Sequence, residues 1–198
     1  TETEGVKAPA GCYTLFAKRD DFGSTTFRDV ASMGDSTENH YKDSDLHKKM
    51  EEIASSSLSE YKDDIVPRGT LDAILGDPVT NQLLWPISFQ ETGAIDKELL
   101  KFSAVSAESY WTRQGYTDTD QLHVVYAIEG ATGEKDSVDG TYNSYTVRPA
   151  LYVKAEAVTL VPDIIGDTVN FAGHEWYIVG TETEGVKAPA GCYTLFAK

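Results

Sequence analysis

Apolar residues in the first half of the chain recur at helical spacing, and the most regular run lies near residue 50. Leu46, Met50 and Ile53 follow one another at intervals of three and four residues, the period of one helix face. Ser44 or Asp45 precedes this run and is a suitable N-cap. The pattern therefore predicts an amphipathic helix at this point.

A second helical start is predicted at Ser88, where Glu91 follows at capping-box spacing. Residues 96–102 predict one or two further turns. Between these helical segments, short apolar islands around Pro67, Pro78 and Pro86 favour short strands or turns over long elements. Residues 19–42 are rich in Asp, Ser, Thr and Gly, and we predict that they are irregular.

In the second half the pattern changes to that of strands. Apolar and aromatic residues predict strands at 109–115, 122–130 and 144–155 and a hairpin at 168–180 that turns about Ala172-Gly173-His174. Residues 11–18 predict one more strand near the start of the chain. Helices followed by strands predict an α+β fold with a mainly antiparallel sheet and one or two helices.

The chain contains an exact internal repeat. Its first eighteen residues, TETEGVKAPAGCYTLFAK, return unchanged as residues 181–198, which indicates a tandem-repeat protein. The hairpin at 168–180 leads directly into the second copy. We therefore expect residues 1–162 to be the body of one domain that continues a hairpin supplied by the preceding unit. Residues 163–198 are then the opening hairpin and first strand of the next repeat.

Composition and charge exclude several classes of protein. The chain has 17 basic and 32 acidic residues, a net charge of −15, which argues against nucleic acid as a partner. The hydrophobic share of 40% and the aromatic share of 11% are those of a folded globular chain. Cys12 and Cys192 occupy the same repeat position, so no disulfide framework is predicted. No apolar run is long enough to span a membrane.

Five short motifs occur in order when the period is taken from residue 166 and continued from residue 1. They are GDTVNFAGHEWYIVG at 166–180, KDSDLHKKM at 42–50, WPISFQE at 85–91, WTRQG at 111–115 and VRPAL at 147–151. This order resembles a family of bacterial surface and secreted domains known only as a domain of unknown function, the DUF6273 type. Departures from the family pattern are Lys48-Lys49-Met50 for Trp-Leu-Asn, and Thr112 and Gln114 for Leu and Ser.

The late Trp strand, the Gly-bearing loop and the Arg-Pro-Ala-Leu strand also look like the C-type lectin-like fold of formylglycine-generating enzymes and bacterial variable adhesins. That likeness is one of fold and carries no activity with it. Together the resemblances imply an extracellular or cell-surface location.

Candidate site residues fall into two groups. We expect Arg148 to form a buried ion pair with Glu91, and we assign structural roles to four residues: Glu91, Arg148, Trp85 and Trp176. Trp111 could offer a face for stacking on a sugar. The candidate ligand-binding residues are Trp111, Arg113, Tyr116, Asp118 and Asp120.

The sequence offers no catalytic or metal-binding constellation. The acidic residues of the late loops lack the spacing of a calcium loop, and the four histidines lack zinc-site spacing. Ser55 to Ser57 lie in the predicted helix, without the strand-turn-helix elbow of a hydrolase nucleophile. We therefore expect no enzyme activity, no metal and no cofactor.

These observations favour a non-enzymatic repeat module of a bacterial extracellular filament, stalk or adhesin, with neighbouring copies of the same repeat as partners. The alternative is a lectin-like domain that binds a glycan or a host or surface protein. The second copy of the repeat could dock into a neighbouring molecule by strand exchange or fold back into its own domain. A third arrangement is one window of a longer covalent array, and the sequence does not choose among the three.

Overall fold

The computed structural model describes residues 6–28, 40–42, 44–71, 77–102, 108–115, 124–139, 141–158 and 165–180. Within these ranges, no helix is long and apolar enough to cross a membrane. The second copy of the repeat, residues 181–198, lies outside them.

The described elements are two α-helices, thirteen β-strands and three short 3₁₀ helices. The helices are α1 Asp45–Ser55 and α2 Lys97–Leu100. The strands are β1 Cys12–Ala17, β2 Ser24–Thr26, β3 Ile65–Val66, β4 Arg68–Leu71, β5 Val79–Gln82, β6 Trp85–Pro86, β7 Tyr110–Gly115, β8 Val124–Ile128, β9 Lys135–Asp139, β10 Ser144–Thr146, β11 Pro149–Lys154, β12 Thr168–Phe171 and β13 His174–Gly180. The 3₁₀ helices are Ser59–Tyr61, Glu91–Ala94 and Ala155–Ala157.

The described strands form two main sheets and a small ribbon. The first sheet has six strands in the order β12-β13-β1-β11-β3, with β6 also paired to β11. The second has the order β2-β10-β7-β8-β9, and β4 and β5 form the ribbon. All pairings are antiparallel except that of β10 with β7. The predicted α+β class with mainly antiparallel sheets is confirmed.

Helix α1 is confirmed where the apolar period places it. The hydroxyl of Ser44 accepts a hydrogen bond from the backbone N–H of His47 at 3.0 Å, which satisfies one of the unpaired donors of the first turn. The predicted face, made of Leu46, Met50 and Ile53, is buried.

The capping box at Ser88 is confirmed as well. The Glu91 N–H donates to the Ser88 hydroxyl at 3.0 Å, and the Ser88 N–H donates to Glu91 Oε2 at 2.8 Å. This reciprocal pair opens the 3₁₀ helix Glu91–Ala94. The carboxylate of Asp96 then caps α2 by accepting from the Glu98 N–H.

The hairpin of β12 and β13 is confirmed with its turn at the predicted residues. Phe171 and His174 face each other at its end. The turn residues Ala172 and Gly173 have φ values of 51° and 81°, as a two-residue type I′ turn requires.

Two local predictions about strands are wrong, and one strand is not predicted. Residues 24–26 form β2, although the surrounding segment is predicted to be irregular, because three Ser and Thr residues extend along β10 as an edge strand. The polar strand β9 pairs with β8 and is not predicted by any apolar alternation. The run 144–155 forms two strands, β10 and β11, in different sheets. The break between them lies at Val147 and Arg148.

Candidate functional site

The first copy of the repeated segment forms an interior strand. Strand β1 lies between β13 and β11 and pairs antiparallel with both. Leu15 illustrates the register, because it faces Leu151 on one side and Ile178 on the other. Strand β1 thus pairs with the hairpin of its own chain, whereas the sequence led us to expect a hairpin supplied by the preceding unit. We call the gap between β13 and β11 that β1 fills the strand slot.

Both faces of β1 are buried. Residues 14–17 have exposed fractions of 0 to 1%, and Val6 and Ala8 upstream are buried at 2 and 5%. Full burial of a Val, Leu or Phe side chain contributes about 1.5–3 kcal/mol. An empty strand slot would therefore expose apolar surface through the middle of the sheet.

Hydrogen bonds at both ends fix the segment in the slot. At the first end, the Ala155 N–H donates to the Gly11 carbonyl at 2.9 Å. At the other end, the Lys18 N–H donates to the Glu175 carbonyl at 3.0 Å. The Lys18 ammonium also lies 3.5 Å from Glu175 Oε1. The slot thus recognises the backbone of the segment as well as its apolar side chains.

Gly180 provides the space for the segment to pass. It faces Thr14, whose hydroxyl donates to the Val6 carbonyl at 2.6 Å. A Cβ at residue 180 would lie 1.9 Å from that carbonyl oxygen and 2.8 Å from the Thr14 hydroxyl. A side chain at this position would therefore displace the segment. Gly180 is also the residue directly before the second copy of the repeat.

Arg148 ties β1 to the end of helix α2. Its fully buried guanidinium donates to the Ala17 carbonyl at 2.7 Å. It also donates to the carbonyls of Leu99, Leu100 and Lys101. Because the last carbonyls of a helix have no partner within the helix, they attract a cation.

Three aromatic rings enclose the Arg148 guanidinium. Phe16, Phe102 and Tyr110 have ring centres 3.9, 4.7 and 4.8 Å from its central carbon. Burial lowers the pKa of Arg148, and the nearby Tyr110 opposes that shift. The expected ion pair with Glu91 is wrong, because backbone carbonyls and aromatic rings accommodate this charge instead.

Glu91 pairs with Arg68 and Arg113, and we call these three residues the Glu91 cluster. Its carboxylate accepts from Arg68 at 2.7 Å and from Arg113 at 2.6 Å, in addition to the Ser88 N–H. The three charged side chains have exposed fractions of 1 to 3%. Burial raises the pKa of Glu91, while Arg68 and Ser88 oppose the rise. Burial also lowers the pKa of Arg113 to about 9, so this guanidinium stays protonated at neutral pH.

Arg68 was not among the residues predicted to have a structural or binding role. An arginine within the apolar island 65–71 must find a buried partner, and the capping-box Glu91 is one of the carboxylates that the sequence offers. The Arg68 guanidinium also lies 5.0 Å from the ring of Trp85. The apolar setting of Arg68 in the sequence therefore signals a buried charge but not its partner.

The other residues assigned structural roles are buried. Trp85 packs edge-on against Tyr152, with their ring centres 4.6 Å apart. The Trp176 ring N–H donates to the Phe171 carbonyl at 3.0 Å, which ties β13 to the end of β12.

Of the five candidate ligand-binding residues, the structure describes two. Trp111 is fully buried between Phe27 and Tyr145, and its ring N–H donates to the Thr25 carbonyl at 2.8 Å. Its ring therefore has no face open to a sugar, contrary to expectation. Arg113 belongs to the Glu91 cluster described above. The remaining three candidates lie outside the described residues: Tyr116, Asp118 and Asp120.

An open cleft of about 450 Å³ lies beside the C-terminal half of α1. Apolar and polar side chains line it, namely Met50, Glu51, Ala54, Ser55, Ser59, Lys62, Asn81, Gln82, Leu83 and Leu84. In the part of the chain that the structure describes, no three His, Cys, Asp or Glu residues could together hold a metal ion.

No family model, curated protein or solved structure matches this chain. The resemblance to the DUF6273 type and the likeness to C-type lectin-like folds therefore stay predictions.

Proposed function

We propose that this chain is a non-enzymatic repeat module of a bacterial extracellular filament, stalk or adhesin, whose copies assemble head to tail through the repeated segment. One observation carries the proposal. The chain contains two identical copies of a segment whose first copy is the buried interior strand β1, and the described fold has one strand slot for it.

The second copy has every residue needed to occupy a strand slot. A strand that adds to a sheet gains main-chain hydrogen bonds, and alternating side chains give it specificity. If the second copy enters the slot of another molecule, the donor and acceptor surfaces differ, so the contact is heterologous. Such a contact produces an open chain of molecules when the rotation between neighbours does not close a ring.

The buried polar groups support a structural role over a catalytic one. Glu91 with its two arginines, and Arg148 with its carbonyl partners, are enclosed in the core and hold separate segments together. A reacting group would need access to a substrate. The net charge of −15 favours a well-solvated surface, which suits the proposed extracellular location.

The test is the solution mass of the full chain, measured by light scattering across a range of concentrations. We expect oligomers that grow with concentration in the full chain and monomers in a version that lacks residues 181–198. A matched control keeps the chain length but scrambles residues 186–197, and it should behave like the truncated version. Compact monomers of the full chain at every concentration would contradict the proposal.

The cleft beside α1 favours ligand binding as a second candidate function. Its mixture of apolar side chains and convergent polar groups is typical of small-ligand sites. A glycan array is the direct test of the carbohydrate form of this candidate. Signals that Glu51→Ala and Asn81→Ala abolish would support it, whereas an array without signals on folded protein would count against it.

A further inference from the structure

We propose that the strand slot between β11 and β13 accepts residues 186–198 of the same chain in exchange for residues 6–18. The inference deepens the proposed function and rests on it only for its role in assembly, because the exchange is the event that opens the slot. While one copy replaces the other, the slot is accessible to a strand from a second molecule.

The two copies can make the same contacts with the slot because their sequences are identical. Residues 186–198 have the same sequence as residues 6–18, so every contact of the first copy with the slot can be made by the second. This includes the donation from Arg148 to the carbonyl before the final lysine and the ion pair of that lysine with Glu175. It also includes the close passage over Gly180.

The connection to the second copy is long enough. Val186 would take the place of Val6, whose carbonyl lies directly beside Gly180. Residues 181–185 would span this short gap, and five residues can reach about 17 Å when extended. Residues 181–185 are therefore long enough to connect Gly180 to Val186 in this position.

The two states of the slot should have similar free energies. The first copy is connected to β2 through the short segment 18–23, and the second would be connected to β13 through 181–185. Loop-closure free energy changes slowly with length, so we expect the two populations to agree within about tenfold. The exchange gives up the ion pair of Arg19 with Glu175 at 3.0 Å. Because the Arg19 side chain is half exposed, this pair contributes little.

The pair of Cys12 and Lys154 allows each state to be trapped in the full chain. These residues face each other across β1 and β11. The donation from Ala155 N–H to the Gly11 carbonyl makes theirs a non-hydrogen-bonded pair. Cα atoms of such pairs are about 4.5 Å apart, within disulfide reach.

Two matched double variants report which copy of the repeated segment occupies the slot. Lys154→Cys combined with Cys192→Ser can form a bond only to the first copy within the chain. Lys154→Cys combined with Cys12→Ser can form it only to the second. Cys12→Ser alone measures background disulfides between chains, and near-ultraviolet circular dichroism checks that each variant is folded.

Both variants are oxidised to equilibrium in a glutathione buffer at a dilution where light scattering reports monomers, and non-reducing electrophoresis measures the products. We expect an intrachain disulfide in both, with yields within about tenfold of each other. If the bond forms only to the first copy, residues 6–18 hold the slot alone and the inference is overturned. Bonds to the second copy that form only between chains would also overturn it and make a second molecule the occupant.

Gly180→Ala, added to each variant, checks that the second copy lies in the slot itself. Both yields should fall, since the carbonyls of Val6 and Val186 need the same space. A fall in the first-copy yield alone would contradict the exchange. The assembly test remains separate: crosslinks to both copies in a chain that never oligomerises would refute head-to-tail assembly and leave the exchange intact. Oligomers of a chain that forms crosslinks only to its first copy would support head-to-tail assembly and refute the exchange.

Discussion

Replacement of Glu91 by Gln should destabilise the fold strongly, because it removes a carboxylate that two buried arginines share. Glu91 accepts from both guanidinium groups and from the Ser88 N–H at 2.6 to 2.8 Å. Removing one partner of a buried ion pair typically costs about 3–5 kcal/mol. Gln retains one acceptor oxygen, so we expect a loss near the lower end, about 3 kcal/mol. Total stabilities are about 5–15 kcal/mol, so the change should be large.

Urea unfolding followed by tryptophan fluorescence measures this loss. With a slope of about 2–3 kcal/mol per molar urea, the midpoint should fall by roughly 1–1.5 M. Glu52→Gln is the matched control, because Glu52 pairs with Lys49 on the exposed face of α1, and its change should be below about 0.5 kcal/mol. A Glu91→Gln protein within about 1 kcal/mol of the parent would refute the reasoning that the cluster is a tightly coupled ion pair.

Three further perturbations test individual contacts. Gly180→Ala should lower the free energy of unfolding by about 1–3 kcal/mol through the clash with the Val6 carbonyl. Gly93→Ala, where a Cβ meets no atom within 4 Å, serves as its control, and equal urea midpoints would contradict the close approach. Arg148→Lys keeps the charge but loses the planar guanidinium that bonds several carbonyls at once, so the free energy of unfolding measured by calorimetry should fall by about 2–4 kcal/mol. An unchanged melting temperature would contradict the role of these hydrogen bonds. Burial raises the pKa of Tyr110 from 10.0 to about 12; the neutral form is favoured in the fold, so the stability that Tyr110 contributes below pH 10 should be lost, by about 2–3 kcal/mol, between pH 10 and 12. The lowered pKa of Arg113 acts in the opposite direction over this range, so the difference in urea midpoint between the parent and Tyr110→Phe measures the Tyr110 contribution, and a difference that does not change with pH would contradict it.

Local patterns predicted the elements whose causes are local. The Ser44 cap, the apolar face of α1 and the reciprocal bonds of Ser88 and Glu91 depend on residues three or four positions apart. The hairpin turn depends on the two residues Ala172 and Gly173. Strands β2 and β9 were missed because their polar residues are extended by pairing with β10 and β8. That cause lies elsewhere in the chain.

The buried charges also separate what the sequence predicts from what the tertiary structure decides. The sequence indicates that Arg148 and Glu91 are buried and must have partners, since an isolated charge in the core is too costly. It does not say which partners, because several arginines and carboxylates satisfy that requirement equally well. Only the tertiary structure brings the three carbonyls at the end of α2 to Arg148. The tertiary structure also makes Arg68 and Arg113 the partners of Glu91.

The repeat itself was determined by sequence alone, since an identity of eighteen residues is visible without any structure. That the repeated segment is an interior strand, covered on both faces and paired on both edges, was decided by the tertiary structure. A short apolar run has the same appearance whether it lies at the edge of a sheet or in its middle. The difference depends on β11 and β13, which are more than a hundred residues away along the chain and supply the hydrogen bonds and the apolar surface on either side.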